Sequence, residues 1–182
     1  IETSNTLLGT GTSGTFTTNF NTGGTGTTLW GSEWTLEIFG NVNSIDQYFV
    51  SSASGTPSSN TGPNSAYDDD YAFVETSNPN NGIGQYGQVT TTNFRELTEI
   101  NFYMYMYGSQ IGALVVYTQN GDDSWTERWR QTGQYQTNQT SSWYNVVIDT
   151  TGFQSKGVRF VFESTSGYQG DIALDNIILT SI

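Results

Sequence analysis

The stretch from Asn101 to Tyr117 leaves this chain little freedom in what it can fold into. It runs Asn-Phe-Tyr-Met-Tyr-Met-Tyr-Gly-Ser-Gln-Ile-Gly-Ala-Leu-Val-Val-Tyr. Aromatic and β-branched residues fill both ends, and turn residues sit only in the middle. It reads as two strands joined by a short glycine-containing connection. Side chains alternate across a strand, so Phe102, Met104 and Met106 share one face and Tyr103, Tyr105 and Tyr107 the other. The first face suits a core. The second suits a surface that is covered or that binds something, because tyrosine has an apolar body and a polar tip.

The rest of the chain extends the pattern. It is 182 residues long, enough for one domain with a sizeable core. It is rich in Thr, Gly, Ser, Asn and Tyr, and no window sustains a helical period, so little helix is expected. Strands are predicted from Thr15 to Phe20, Trp34 to Phe39, Tyr71 to Glu75, Gly87 to Thr91, Trp125 to Arg130, Trp143 to Ile148, Gly157 to Glu163 and Ile172 to Leu179. Turns are expected at Asn78 to Gly82 and, as a hairpin, at Asn120 to Asp123. Many short strands with turns between them form an all-β, two-sheet antiparallel β-sandwich of jelly-roll type. Residues 1–14 read as a flexible Thr/Gly-rich lead-in and 15–182 as the domain.

Composition excludes several chemistries. The chain has no cysteine and no histidine, which removes disulfides, thiol nucleophiles, Cys/His zinc sites and His-based triads. The net charge is −12, with Arg95, Arg128, Arg130, Lys156 and Arg159 as its only cations. Nucleic acid and anionic membranes are therefore poor partners. No apolar run spans a bilayer, and no basic-then-apolar leader opens the sequence, so a signal peptide is expected to be removed or to lie outside it.

Four blocks, in order, carry a family resemblance. The first is Gly55 to Pro63 followed by Tyr71 to Ser77. The second is Phe102 to Gly108 with Ile111 to Tyr117. The third is Trp129, Gly133 and Ser142-Trp143. The fourth is Val158 to Glu163 with Gly167 to Ile177. Together they resemble MAM domains, named for meprin, a neuropilin antigen and a receptor-type tyrosine phosphatase. The resemblance implies a jelly roll and a non-catalytic, extracellular recognition or adhesion role, secreted or at the cell surface. The animal family's paired cysteines are absent, as in a bacterial member, and its opening Asp-Phe-Glu is matched by Asn19-Phe20-Asn21.

Two constellations carry candidate chemistry. Jelly rolls of this type often hold a hard cation between first and last strands, and the family's last-strand aspartate matches Asp175. The resemblance thus implies a structural calcium, with Asp175, Asn21 and carboxylates such as Asp68 and Asp70 (Asp69 between them) supplying oxygens. The alternative is a solvated acidic turn with Asp175 capping backbone amides. The second constellation is the tyrosine face. Neighbouring strands could bring Arg128, Arg130, Arg159 and Glu163 beside Tyr103, Tyr105 and Tyr107, with Trp125 and Trp30 as exposed platforms. Rings stack on sugar faces and guanidinium forks clamp carboxylate or sulfate. The alternative is that the arginines simply pair with Glu75, Glu127 and Glu163. Trp34, Trp129 and Trp143 are expected in the core. The expectation is a module that binds a polysaccharide, anionic polymers included, monomeric and appended to a larger secreted protein. The rival is a protein–protein adhesion domain.

Overall fold

The computed structural model describes residues 11–40, 44–77, 86–165 and 167–182. The expected turn at Asn78 to Gly82 and residues 1–10 of the lead-in lie outside them. Among the described residues the chain forms β1 (Gly14–Thr18), α1 (Gly26–Trp30), β2 (Thr35–Phe39), α2 (Ile45–Tyr48), β3 (Phe49–Ser52), β4 (Tyr71–Val74), β5 (Tyr86–Tyr105), β6 (Ala113–Gln119), β7 (Trp125–Thr132), β8 (Tyr144–Asp149), β9 (Ser155–Glu163) and β10 (Ile172–Ser181). Every strand ladder is antiparallel.

The element that organises the fold is β5. Its first part pairs with β2 and β9, and its second with β10 and β8. Between them the register to β9 slips from Thr92 to Leu97, and Asn93 adopts a positive φ of 76°. Asparagine tolerates that left-handed conformation better than most residues. The strand therefore leaves one sheet and enters the other. The first sheet runs β3-β4-β10-β5-β8, with β1 alongside β10 in line with β4; the second runs β2-β5-β9-β6-β7. Their inner faces meet in one core: the Phe102 ring lies 5.1 Å from Phe160 and 5.6 Å from Trp129, across the two layers. This is the expected antiparallel β-sandwich.

Phe102, Met104 and Met106 are fully buried, as the alternation predicts. The two strands of that stretch, β5 and β6, do not pair with each other; the connection carries the chain from one sheet to the other. The hairpin at Asn120 to Asp123 joins β6 to β7, with the Asn120 amide donating to the Ser124 carbonyl at 2.8 Å. Trp30, expected as an exposed platform, is instead buried in one-turn α1, against Phe20, Trp34 and Phe49. The five-residue α1 cannot bury an amphipathic stripe alone, so its apolar end docks on the core. Trp34 is core and Trp129 half-buried against it. Trp143 is half-buried against a second, smaller buried cluster of Tyr71, Phe73, Tyr105 and Ala173 on the outer face of the first sheet, its indole donating to the Ser65 carbonyl at 3.0 Å.

Candidate functional site

Alternation along the second sheet sends Val158, Phe160, Phe162, Leu114 and Val116 inward. It sends Arg159, Val161, Glu163, Ala113, Val115 and Tyr117 outward. Cross-strand register then assembles an outer face row by row: Tyr86 beside Glu163 and Ala113, Gln88 beside Val161 and Val115, Thr90 beside Arg159 and Tyr117. On β7, Arg130 lies opposite Val115, and Trp125 opposite Gln119. A groove of about 710 Å³ occupies this face. Its floor is small and apolar (Ala113, Val161), its walls carry Tyr86, Tyr117 and Trp125, and Ile111, Gly112, Ser164 and Thr165 line it where β9 ends and β6 begins. A side chain cannot replace Gly112, because a Cβ there would stand 1.8 Å from the Glu163 carbonyl oxygen. Phe39 stacks on Tyr86 with centroids 4.5 Å apart, extending the wall over β2.

The polar groups of the groove are held in place. Arg159 lies over the Trp125 ring at 4.0 Å, and its Nε donates to Thr90 Oγ1 at 3.0 Å. Burial lowers its pKa, offset in part by Glu37. Arg130 donates to both Glu127 oxygens at 3.1 Å and reaches Glu163 at 3.4 Å. That pairing holds the Glu127 carboxyl below the usual carboxylate range. Gln88 donates its amide to Glu37.

Of the residues singled out in the sequence, Trp125, Arg130, Arg159 and Glu163 come together here. Arg128 does not. A register slip between Val116 and Tyr117 turns it away, and its Nε donates to the inward Thr118 at 2.8 Å while its guanidinium covers Phe153 at 3.8 Å. Tyr103, Tyr105 and Tyr107 do not join them either. They belong to the outer face of the first sheet, and other chain segments cover them. Tyr105 is fully buried, with its hydroxyl donating to the Asn138 carbonyl at 2.5 Å. The Tyr107 carbonyl accepts from the Gly62 amide at 2.9 Å. Tyr103 stacks face to face on Tyr67 at 3.7 Å. Tyr86, Gln88, Tyr117 and the Ala113–Val161 floor were missed. The alternation of β6 and β9 marks Tyr117 and Val161 as co-facial with Arg159, once those strands are known to be neighbours.

The residues expected as cation ligands lie at a second place, where Asp68 neighbours both Asp175 and Asn21. β1 and β4 both flank β10, and they part opposite Asp175. The turn after β1 and the segment before β4 meet in the gap. Asp175 is fully buried, and its two oxygens accept from the Tyr67 and Asn176 amides at 3.2 and 2.8 Å. Burial, and then the Asp68 carboxylate, push its pKa up to about 7. The Asn21 side-chain NH₂ donates to Asp68 Oδ1 at 3.2 Å and to the Asn19 carbonyl oxygen at 2.9 Å. Asp70 packs on the same turn, 3.0 Å from where a Cβ on Gly23 would be. Among the described residues no three carboxylates form a metal cluster.

The comparisons with known proteins agree on the fold. Among solved structures, the chain is similar to the K2 cleaved adhesin domain of Lys-gingipain, with a TM-score of 0.63 and 16% identity over 92% of this chain and 98% of that one. It is similar to TmCBM61, solved in complex with beta-1,4-galactotriose, with a TM-score of 0.54 and 12% identity over 91% and 95% of the two chains. It is also similar to a Stig cyclase, Fisc from Fischerella sp. TAU, with a TM-score of 0.52 and 13% identity over 83% and 85%. One architecture thus serves an adhesin, a sugar-bound module and a cyclase, and the fold alone does not select among them. The family model of the MAM domain, meprin/A5/mu, matches residues 41–182, and the chain belongs to that family.

Proposed function

We propose that this domain is a non-catalytic extracellular binding module that takes a glycan along the outer face of β2-β5-β9-β6-β7. The observation that carries the reading is the groove itself. Aromatic walls flank an aliphatic floor, with Gln88, Arg159 and Glu163 presenting fixed hydrogen-bonding groups along it. Pyranose rings offer the same alternation of apolar faces and polar edges. The sugar-bound module of similar fold adds support. Catalysis is disfavoured at this face. A glycosidase needs a carboxyl with a raised pKa as general acid, whereas Glu127 is held low by Arg130. Among the described residues no helix is long and apolar enough to cross a membrane.

The test is affinity electrophoresis against a polysaccharide panel, with groove variants beside a control. Trp125→Ala and Tyr86→Ala should each weaken retardation about tenfold, the loss of one stacking contact of roughly 1.4 kcal/mol. Tyr103→Ala, on the opposite face, should leave retardation unchanged. Equal effects of Tyr103→Ala and Trp125→Ala would sink the assignment.

The same reading places a structural calcium at Asp175, Asp68, Asn21 and the Asn19 carbonyl, with Asp70 on the adjoining turn. There the ion would neutralise the buried Asp175 carboxylate and tie the turn after β1 to the entry of β4. A protein-adhesion role is favoured by one feature, the exposed Val147 and Tyr144 on edge strand β8. Sedimentation at rising concentration tests it.

A further inference from the structure

We propose that the groove selects an uncharged polysaccharide and discriminates against uronate and sulfated ones. This rests on the glycan reading above and goes beyond it by fixing the chemical class. Two guanidiniums and three carboxylates share the face: Arg130 and Arg159 against Glu37, Glu127 and Glu163. Arg130 is not a vacant anion clamp. Arg130 spends its Nε and Nη2 on Glu127 and its Nη1 on Glu163. Arg159 spends its Nε on Thr90 and one guanidinium face on Trp125; it keeps the N–H groups of its two terminal nitrogens, under the influence of the Glu37 carboxylate.

The donor and acceptor balance points the same way. The carboxylates accept only, and Gln88 gives its NH₂ to Glu37, leaving its carbonyl as an acceptor. A face weighted toward acceptors suits a ligand that donates. A sugar hydroxyl both donates and accepts, so it can satisfy Glu163 and Gln88 and also take the edge N–H groups of Arg159. An ionised uronate or sulfate group only accepts. It would meet Glu127 and Glu163 at close range, and with Arg130 already paired only the terminal N–H groups of Arg159 would be left to hold it against that repulsion. At long range it would approach a chain of net charge −12.

The experiment compares neutral polymers (galactan, xylan, mannan, mixed-linkage glucan) with polygalacturonate, alginate and chondroitin sulfate, at 50 and 500 mM NaCl. It uses the intact domain and Glu127→Gln, Glu163→Gln and Arg130→Ala variants of unchanged melting temperature. The expected result is retardation of the wild type by at least one neutral polymer, insensitive to salt, and by no anionic one. Freeing Arg130 with Glu127→Gln or Glu163→Gln should raise anionic-polymer affinity roughly two- to fivefold at low salt. Arg130→Ala should not. Salt-sensitive retardation of the wild type by an anionic polymer, matching or exceeding that by neutral ones, overturns the selectivity while leaving the glycan reading intact. Retardation by no polymer overturns the glycan reading and this inference with it.

Discussion

At the level of single residues, the most consequential group is a carboxylate that the fold buries. Asp175 and Asp171 are both fully buried, and burial pushes the pKa of each up to about 7. In the unfolded chain an aspartate titrates near pH 3.9, about three units lower. The folded state therefore holds protons that the unfolded chain releases over that interval. Without metal, the stabilisation is fully present below about pH 4 and is lost as pH rises through about 7. The melting temperature in chelator should fall between pH 5 and pH 8. Calcium should reduce that fall, because it binds the ionised form of Asp175. Asp175→Asn removes the buried charge and a ligand together, so it should abolish the calcium-dependent rise while flattening the slope. Asp171→Asn, away from the cation ligands, should flatten the slope and keep the calcium response. Scanning calorimetry at the two pH values checks all three. A chelated wild type whose midpoint rises from pH 5 to pH 8 would refute the account. The importance of Asp175 was legible because a family motif surrounds it. The position of Asn21 beside Asp68 was legible only through that motif's order, since nothing local distinguishes it from other asparagines in a turn.

At the level of elements, β5 explains what the sequence could and could not tell. Its alternation marked Phe102, Met104 and Met106 as core, and all three are fully buried. Alternation also placed the tyrosines together on the other face. It carries no information on which sheet that face belongs to or what covers it, and both decided the outcome. The strand is 20 residues long, and its neighbours change at the Asn93 kink. Arg159 pairs with the part before the kink and Tyr103 lies after it, so two co-facial patterns in one strand end on opposite sides of the molecule. The cover over Tyr105 comes from a segment remote in sequence, whose Asn138 carbonyl takes its hydroxyl hydrogen bond. The groove was half legible for the same reason: Trp125, Arg130, Arg159 and Glu163 advertise themselves by chemistry, whereas Tyr86 and Tyr117 gain significance only from register. The kink itself is testable. Asn93→Gly should be nearly neutral, because glycine accepts a φ of 76°. Asn93→Val should cost roughly 1–2 kcal/mol, read as a lower urea midpoint at constant slope.

At the level of the whole molecule, the sandwich separates its two candidate sites. Asp175 pairs in register with Tyr103 on the first sheet, whereas the groove lies on the second, with the common core between. The proposed cation site lies at the junction of β1, β4 and β10, none of which contributes to the groove lining. Calcium should therefore act on stability and leave recognition alone. Removing it with chelator should lower the melting temperature by several degrees, while retardation by the recognised polysaccharide, measured well below that temperature, should stay within twofold. Trp125→Ala should do the reverse, weakening binding about tenfold with an unchanged melting temperature and an undiminished calcium response. The cross-comparison is the decisive part. If Asp175→Asn weakened glycan binding in a fully folded protein, or the ligand shielded calcium from chelation, the two faces would be energetically coupled through the core. The separation by layers argued here would then be wrong, because by linkage each ligand would have to change the other's affinity by the same factor.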